Sequence, residues 1–183
     1  MNYDVIVIGS GAGGSTAAYA LAQAGKKVLV IERGERVPRE PANWSAQEVF
    51  GKGRYVSPDT WLDSSGKPFR PQAHYNVGGA TKFYGAALWR MQDSDFSSWP
   101  VSLADMSPYY ARAEAMYHVQ PVIDHAPVIA RIEEGMRTAG LHPSPAPAAV
   151  MLDRGCTLCP TCDGFPCMTG VKGDAEFEER VRR

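Results

Sequence analysis

Two short apolar runs open the chain, and each stops at a residue with a special property. Val5–Ile8 ends at Gly9, and Val28–Ile31 ends at Glu32. Neither run alternates with polar residues, which is the pattern of parallel strands covered on both faces. Between them, Ser15–Ala24 is rich in alanine and reads as a helix, with Gly25 at its C′ position. Strand, helix and strand at this spacing form a βαβ unit, so the expected fold class is α/β of the Rossmann type.

The patterning weakens after Glu35. Residues 35–76 hold prolines, glycines and scattered aromatics, and read as a long irregular excursion that covers a ligand or a partner. A second glycine-rich block follows, from Tyr75 through Gly78-Gly79 and Ala86-Ala87 to Arg90. Ser107-Pro108 reads as the start of a helix that runs to about His118, with Tyr109, Ala113 and Met116 on one stripe. Another helix is expected over Ala126–Ala139, ended by Gly140, and Pro143–Pro147 reads as a stiff linker. The expected organisation is a nucleotide-binding part over residues 1–150 and a cysteine-rich loop with a short tail over 151–183.

The first glycine block carries chemistry. Gly9, Gly11 and Gly14 satisfy G-x-G-x-x-G directly after a strand and at the mouth of a helix. Gly9 permits the tight turn, Gly11 lets a pyrophosphate approach the backbone, and Gly14 lets the helix sit close on the sheet. Helix N–H groups and the positive end of the helix dipole then face the pyrophosphate. Ser10, Ala12 and Gly13 complete the turn as candidate contacts. Glu32, at the end of the second strand, can accept hydrogen bonds from a ribose diol and would repel a 2′-phosphate. The run Glu32-Arg33-Gly34 resembles FAD-binding flavoproteins more than NAD dehydrogenases.

Composition narrows the partners. Lys and Arg total 19 against 20 Asp and Glu, a net charge of −1, so nothing attracts nucleic acid. Val5–Ile8 is too short to span a bilayer, and no cationic segment precedes it as in a signal peptide. The expected setting is cytoplasmic, with reduced thiols.

Three segments together resemble the glucose–methanol–choline (GMC) oxidoreductases, which are FAD-dependent alcohol and sugar oxidases and dehydrogenases. They are the Gly9–Gly14 turn with Glu32, the Val77-Gly78-Gly79 block, and Trp99-Pro100 leading to Pro108-Tyr109-Tyr110 and Ala113-Glu114. The last is most similar to the pyranose-oxidase and sugar-dehydrogenase branch. The resemblance implies FAD contacts at Val77, Gly78, Gly79, Thr81, Gly85 and Ala86, and a small alcohol or sugar as substrate. Covalent relatives place a flavin-linked histidine where this chain has Phe83, so the expected FAD is non-covalent. His74 lies on the wrong side of the glycines. The family's catalytic histidine and its His/Asn partner belong to a far C-terminal region with no counterpart here. His74, His118, His125 and His142 match neither, and catalytic residues stay unassigned. The chain therefore reads as the N-terminal portion of such an enzyme. Inactivity in isolation is the matching expectation. Alternatives are a non-catalytic fragment, one half of a split enzyme that needs a complementing C-terminal half, or an iron–sulfur electron-transfer protein with a protein electron acceptor.

All four cysteines fall in one run, Cys156, Cys159, Cys162 and Cys167. The spacing is too tight for two zinc knuckles and closer to an iron–sulfur loop. Some FAD sugar dehydrogenases of the resembling family carry a three-iron cluster on such a loop. The competing reading is a loop of buried or disulfide-bonded thiols, as in relatives with a lysine and an acid downstream, here Lys172 and Asp174.

Overall fold

The computed structural model describes residues 2–123, 126–159 and 162–176. His125 and most of the polar tail lie outside the described residues. Strand β1 (Val5–Ile8) pairs in parallel with β2 (Val28–Ile31), Val5 opposite Val28 and Ile8 opposite Ile31. Helix α1 (Ala12–Gln23) crosses between them. This is the expected α/β unit of the Rossmann type, with two strands among the described residues.

Helix α1 begins at Ala12, three residues before the alanine-rich stretch. Its first turn contains Gly13 and Gly14, and a helical glycine costs about 1 kcal/mol relative to alanine. Propensity therefore hid the start. Packing overrides it, because a β-carbon at Gly14 would collide with the Gly9 carbonyl and come within 3.3 Å of Val7. Gly25 follows the helix with φ of +76°, as its C′ role requires.

The excursion is closed at its base. Glu35 bridges in parallel to Asn76, just beyond β2, and the Val77 N–H donates to the Glu35 carbonyl at 3.0 Å. Inside it, β3 (Trp61–Leu62) and β4 (Pro68–Phe69) form a hairpin. Its turn is held by Asp63, whose carboxylate accepts from the N–H groups of Ser65 and Lys67 at 2.8 and 2.9 Å.

Helix α2 spans Leu103–Tyr117, and its N-cap is Ser102, not Ser107. Ser102 and Asp105 form a reciprocal capping box, so two free N–H groups are satisfied at once. Pro108 thus sits inside the helix. Of the expected stripe Met116 is buried, with Tyr117 beside it, while Tyr109 is 60% exposed. Strand β5 (Val119–Val122), helix α3 (Pro127–Thr138) and strand β6 (Ala146–Ala149) complete the described elements. The end of the expected linker, residues 146–147, instead begins β6, which pairs antiparallel with β5. Pro121 lies opposite Pro147, where neither has an N–H to give, and that absence masked the pairing.

The core gathers on β6. Ala86, Met116, Tyr117, Ala149 and Val150 are buried together, with Tyr19, Tyr84 and Leu88 packed around them. Segment 151–176 returns to the same strand, since the Gly173 N–H donates to the Ala149 carbonyl at 2.7 Å. No helix among the described residues is long and apolar enough to cross a membrane.

Replacing Ser102 by alanine should cost about 1 kcal/mol of stability in chemical denaturation. Ser107→Ala should shift stability by less than about 0.5 kcal/mol, because its hydroxyl caps nothing. The reverse order would return the helix start to Ser107.

Candidate dinucleotide-binding site

The turn after β1 is fixed by one carboxylate. Glu32 Oε2 accepts hydrogen bonds from the Ser10 N–H at 2.8 Å and the Ser10 hydroxyl at 2.7 Å. Oε1 accepts from the Gly34 N–H at 2.9 Å. Partial burial works to raise the Glu32 pKa, but the donors from Gly34 and Ser10 outweigh it and hold the carboxyl below its ordinary value of 4.5. Glu32 was expected to accept hydrogen bonds from a ribose diol. The Ser10 and Gly34 donors, with a weaker contact from the Arg33 N–H, already engage most of its acceptor sites.

Ser10 also reaches the second glycine block. Its hydroxyl oxygen accepts from the Gly78 N–H at 3.0 Å. Gly78 and Gly79 both take positive φ, +86° and +55°. A β-carbon at Gly79 would lie 3.0 Å from the Gly11 α-carbon, so the two glycine turns touch backbone to backbone. Asn76 braces the second turn, donating to the carbonyls of Val77 and Gly79 at 2.9 and 3.2 Å. Its Oδ1 is buried with no partner. No sequence signal marked Asn76.

Around Gly11 the surface is open. A β-carbon at Gly11 or Gly13 would meet nothing within 4 Å, and Ala12 and Gly13 are exposed. Gly11 caps α1 with no side-chain hydrogen bond. The first-turn N–H groups therefore face outward without a side chain to satisfy them, and an anionic group fits there. Gly9, Ser10, Gly11, Ala12, Gly13 and Gly14 are thus assembled as the sequence implied, with Gly78 and Gly79 beside them.

Other candidates stand elsewhere. Arg33 pairs with Asp59 at 3.0 Å and lies 3.9 Å over the Tyr75 ring, so it ties β2 to the excursion. Asp59 is held below its usual range by the Tyr75 hydroxyl and by Arg33. The Thr81 hydroxyl donates to the Gly78 carbonyl at 2.6 Å and accepts from the Ala175 N–H at 2.9 Å. Gly85 abuts Asp163, at 3.3 Å from where its β-carbon would be. Ala86 has no exposed surface and sits in the core at φ of +66°, so it braces the fold and offers no flat contact to a ring. Phe83 is buried, its ring 4.9 Å from Tyr55 and 4.6 Å from His74.

The cysteine loop closes around a lysine. Lys172 is 3% exposed, and its ammonium donates to the carbonyls of Tyr84, Phe165 and Cys162 at 2.9, 3.0 and 3.1 Å. Burial pushes its pKa down. Cys156, Cys159, Cys162 and Cys167 are all free thiols. Among the described residues no three His, Cys, Asp or Glu side chains gather so as to hold a metal ion, and the iron–sulfur expectation finds no support. Nearby, Lys82 bridges Asp174 at 3.0 Å and also pairs with Glu176, joining the second glycine turn to segment 174–176. These partners lie more than ninety residues apart and carried no motif. His118 lines a cleft of about 730 Å³ with Arg36, Arg39 and Arg154.

The FAD binding domain family matches residues 4–46, the stretch that contains the turn and Glu32. Paromamine 6′-oxidase of Streptomyces fradiae is 31% identical over 94% of this chain and 36% of its own length. The 6′′′-hydroxyparomomycin C oxidase of Streptomyces lividus is 29% identical over 94% of this chain and 37% of its own. A GMC-type oxidoreductase of Sinorhizobium fredii is 32% identical over 61% of this chain and 23% of its own. The chain is related to the GMC-type oxidoreductases. It spans about a third of the length of the first two relatives.

Two predictions separate the roles in this GMC-type turn. Gly14→Ala should destabilise the fold by more than about 2 kcal/mol, from the collision with Gly9, while Gly11→Ala should fall within about 0.5 kcal/mol of the parent. Equal effects in urea denaturation would contradict the geometry. Below pH 4.5 the unfolded chain takes up a proton on Glu32 while the folded chain resists. The stability that Glu32 confers is therefore complete above that value and lost as pH falls through its lowered native pKa. Glu32→Gln should make the acid limb of the stability profile shallower than the parent's.

Proposed function

We propose that this chain forms the FAD-binding part of a GMC-type oxidoreductase acting on a CH–OH group of a small alcohol or sugar. One observation carries the reading: the uncapped N-terminus of α1 opens onto free space at Gly11 and Gly13, directly beside the Gly78–Gly79 turn. The amides of Ala12, Gly13 and Gly14 would bind a pyrophosphate, and the remaining acceptor site of Glu32 would take one ribose hydroxyl. Asn76, with its unpartnered Oδ1, supports the same assignment. FAD supplies the hydride acceptor for such oxidations. The work of this chain is to hold the dinucleotide and fix its direction.

The nucleotide-binding part lies within residues 1–150, with segment 151–176 latching it through Lys172 and Asp174. Phe83, enclosed between Tyr55 and His74, offers no nucleophile, so the flavin is held without a covalent bond. Free thiols throughout are consistent with a reducing, cytoplasmic setting.

The test is a flavin titration followed by fluorescence quenching. The parent should bind FAD, and Gly11→Val should lose binding while keeping the parent's melting temperature. Heat denaturation should release all the flavin into the filtrate. Flavin that stays with the polypeptide would refute non-covalent binding. A Gly11→Val protein that binds as tightly as the parent would refute the site.

A further inference from the structure

A cleft of about 730 Å³ lies between the start of the excursion and segment 166–176. Its volume is that of a small-molecule site. Neither glycine turn lines it. Five Lys and Arg side chains do, against two acids, Asp174 and Glu176. The whole chain carries a net charge of −1, so this cationic surplus is local. Both acids are already engaged. Glu176 pairs with Arg36 and Lys82, and Asp174 pairs with Lys82 at 3.0 Å. Lys172 directs its ammonium at three carbonyls. Arg39 is exposed and makes no ion pair with a described residue.

The seat of Arg39 is built into the backbone. Gly170 takes φ of +70°, and a β-carbon there would lie 2.8 Å from Arg39 Nη2. Bare backbone is what lets the guanidinium lie so close. His118 lines the same cleft as the C-cap of α2 and holds φ of +56° without being glycine. That conformation costs about 1–2 kcal/mol, and residues held in it cluster at ligand clamps. The partial negative charge at the helix end also favours a cationic imidazole there. Among the buried lining, Met116, Pro166 and Val171 are apolar, while the exposed lining includes Arg36, Arg39 and Arg154. An apolar floor under a guanidinium mouth suits an organic body that carries an anionic group.

We propose that this cleft binds a small organic oxyanion, a carboxylate- or phosphate-bearing molecule of about sugar size, held chiefly by Arg39 with Arg154 beside it. Arginine fits the task because its planar fork meets two oxygens of a carboxylate or phosphate at once. A nucleic acid would need an extended basic face, whereas this surplus is confined to one concavity. The site is separate from the dinucleotide turn and does not rest on the FAD reading.

The experiment is calorimetric titration of the full chain with citrate and with glucose 6-phosphate, using glucose as the uncharged control. One-to-one binding of at least one charged probe is expected, and which of them binds separates carboxylate from phosphate. Arg39→Gln should weaken binding at least about tenfold, the loss of a charge-assisted pair. Its melting temperature should match the parent's, because the side chain is exposed. Lys67→Gln, on the exposed β3–β4 hairpin, should leave binding unchanged. No saturable binding of either charged probe below about 10 mM overturns the proposal. So does binding that ignores Arg39→Gln, or glucose binding as tight as that of glucose 6-phosphate. Binding lost in Gly11→Val but kept in Arg39→Gln would assign the anion to the first turn of α1, which also overturns it. Flavin titration of Arg39→Gln should match the parent's, so failure of the cleft and failure of the FAD site are read separately.

Discussion

The Glu32 carboxylate is the interaction on which the site depends. It sits where β2 ends and accepts from both donors of Ser10, at the end of β1. Two loops that leave parallel strands side by side are thereby held at one spacing. Ser10 passes the constraint on, because its hydroxyl also accepts from the Gly78 N–H. Residues more than sixty positions apart are thus fixed through a single hydroxyl. Hydrogen bonds to a charged group are worth about 1.5–3 kcal/mol each, so the network is strong enough to order an otherwise glycine-rich region. Order matters here because glycine gives the turn close approach but no intrinsic rigidity.

Similar polar pins secure the rest. Lys172 gathers three carbonyls inside the cysteine loop, and Lys82 ties the second glycine turn to Asp174. The buried cluster around Ala86, Ala149 and Tyr117 is small, while Ile8, Leu62, Trp89 and Ile132 stay largely exposed. The distribution describes two glycine turns braced by polar contacts, beside apolar side chains that stay exposed.

The strand–turn–helix–strand unit was legible because its signals are local: apolar runs, glycine spacing and a terminal acid. What the sequence concealed was long-range or counter to propensity. Gly13 and Gly14 are poor helix formers, yet both lie in the first turn of α1, and at Gly14 only glycine fits against Gly9. Ser107-Pro108 mimics a helix start, but Asp105 gives Ser102 the stronger box. Pro147 argues against a strand until Pro121 is found opposite it. In the candidate site, the glycine turn from Gly9 to Gly14 and its neighbour Glu32 were legible as a turn after a strand. Arg33, Thr81 and Ala86 took structural duties that follow from their partners, not from their position in a motif. Lys82 carried no signal, since its partners Asp174 and Glu176 lie across the fold, and the resemblance marked Lys172 without showing that it gathers three carbonyls.

Amide hydrogen exchange with and without FAD measures the central claim most directly. The cradle is open at the first turn of α1, so FAD should slow exchange at Ala12, Gly13 and Gly14 and at Gly78–Gly79. Exchange across Cys156–Cys159 should stay unchanged. Protection confined to the cysteine segment, or no change at the α1 N-terminus under saturating FAD, would contradict the account.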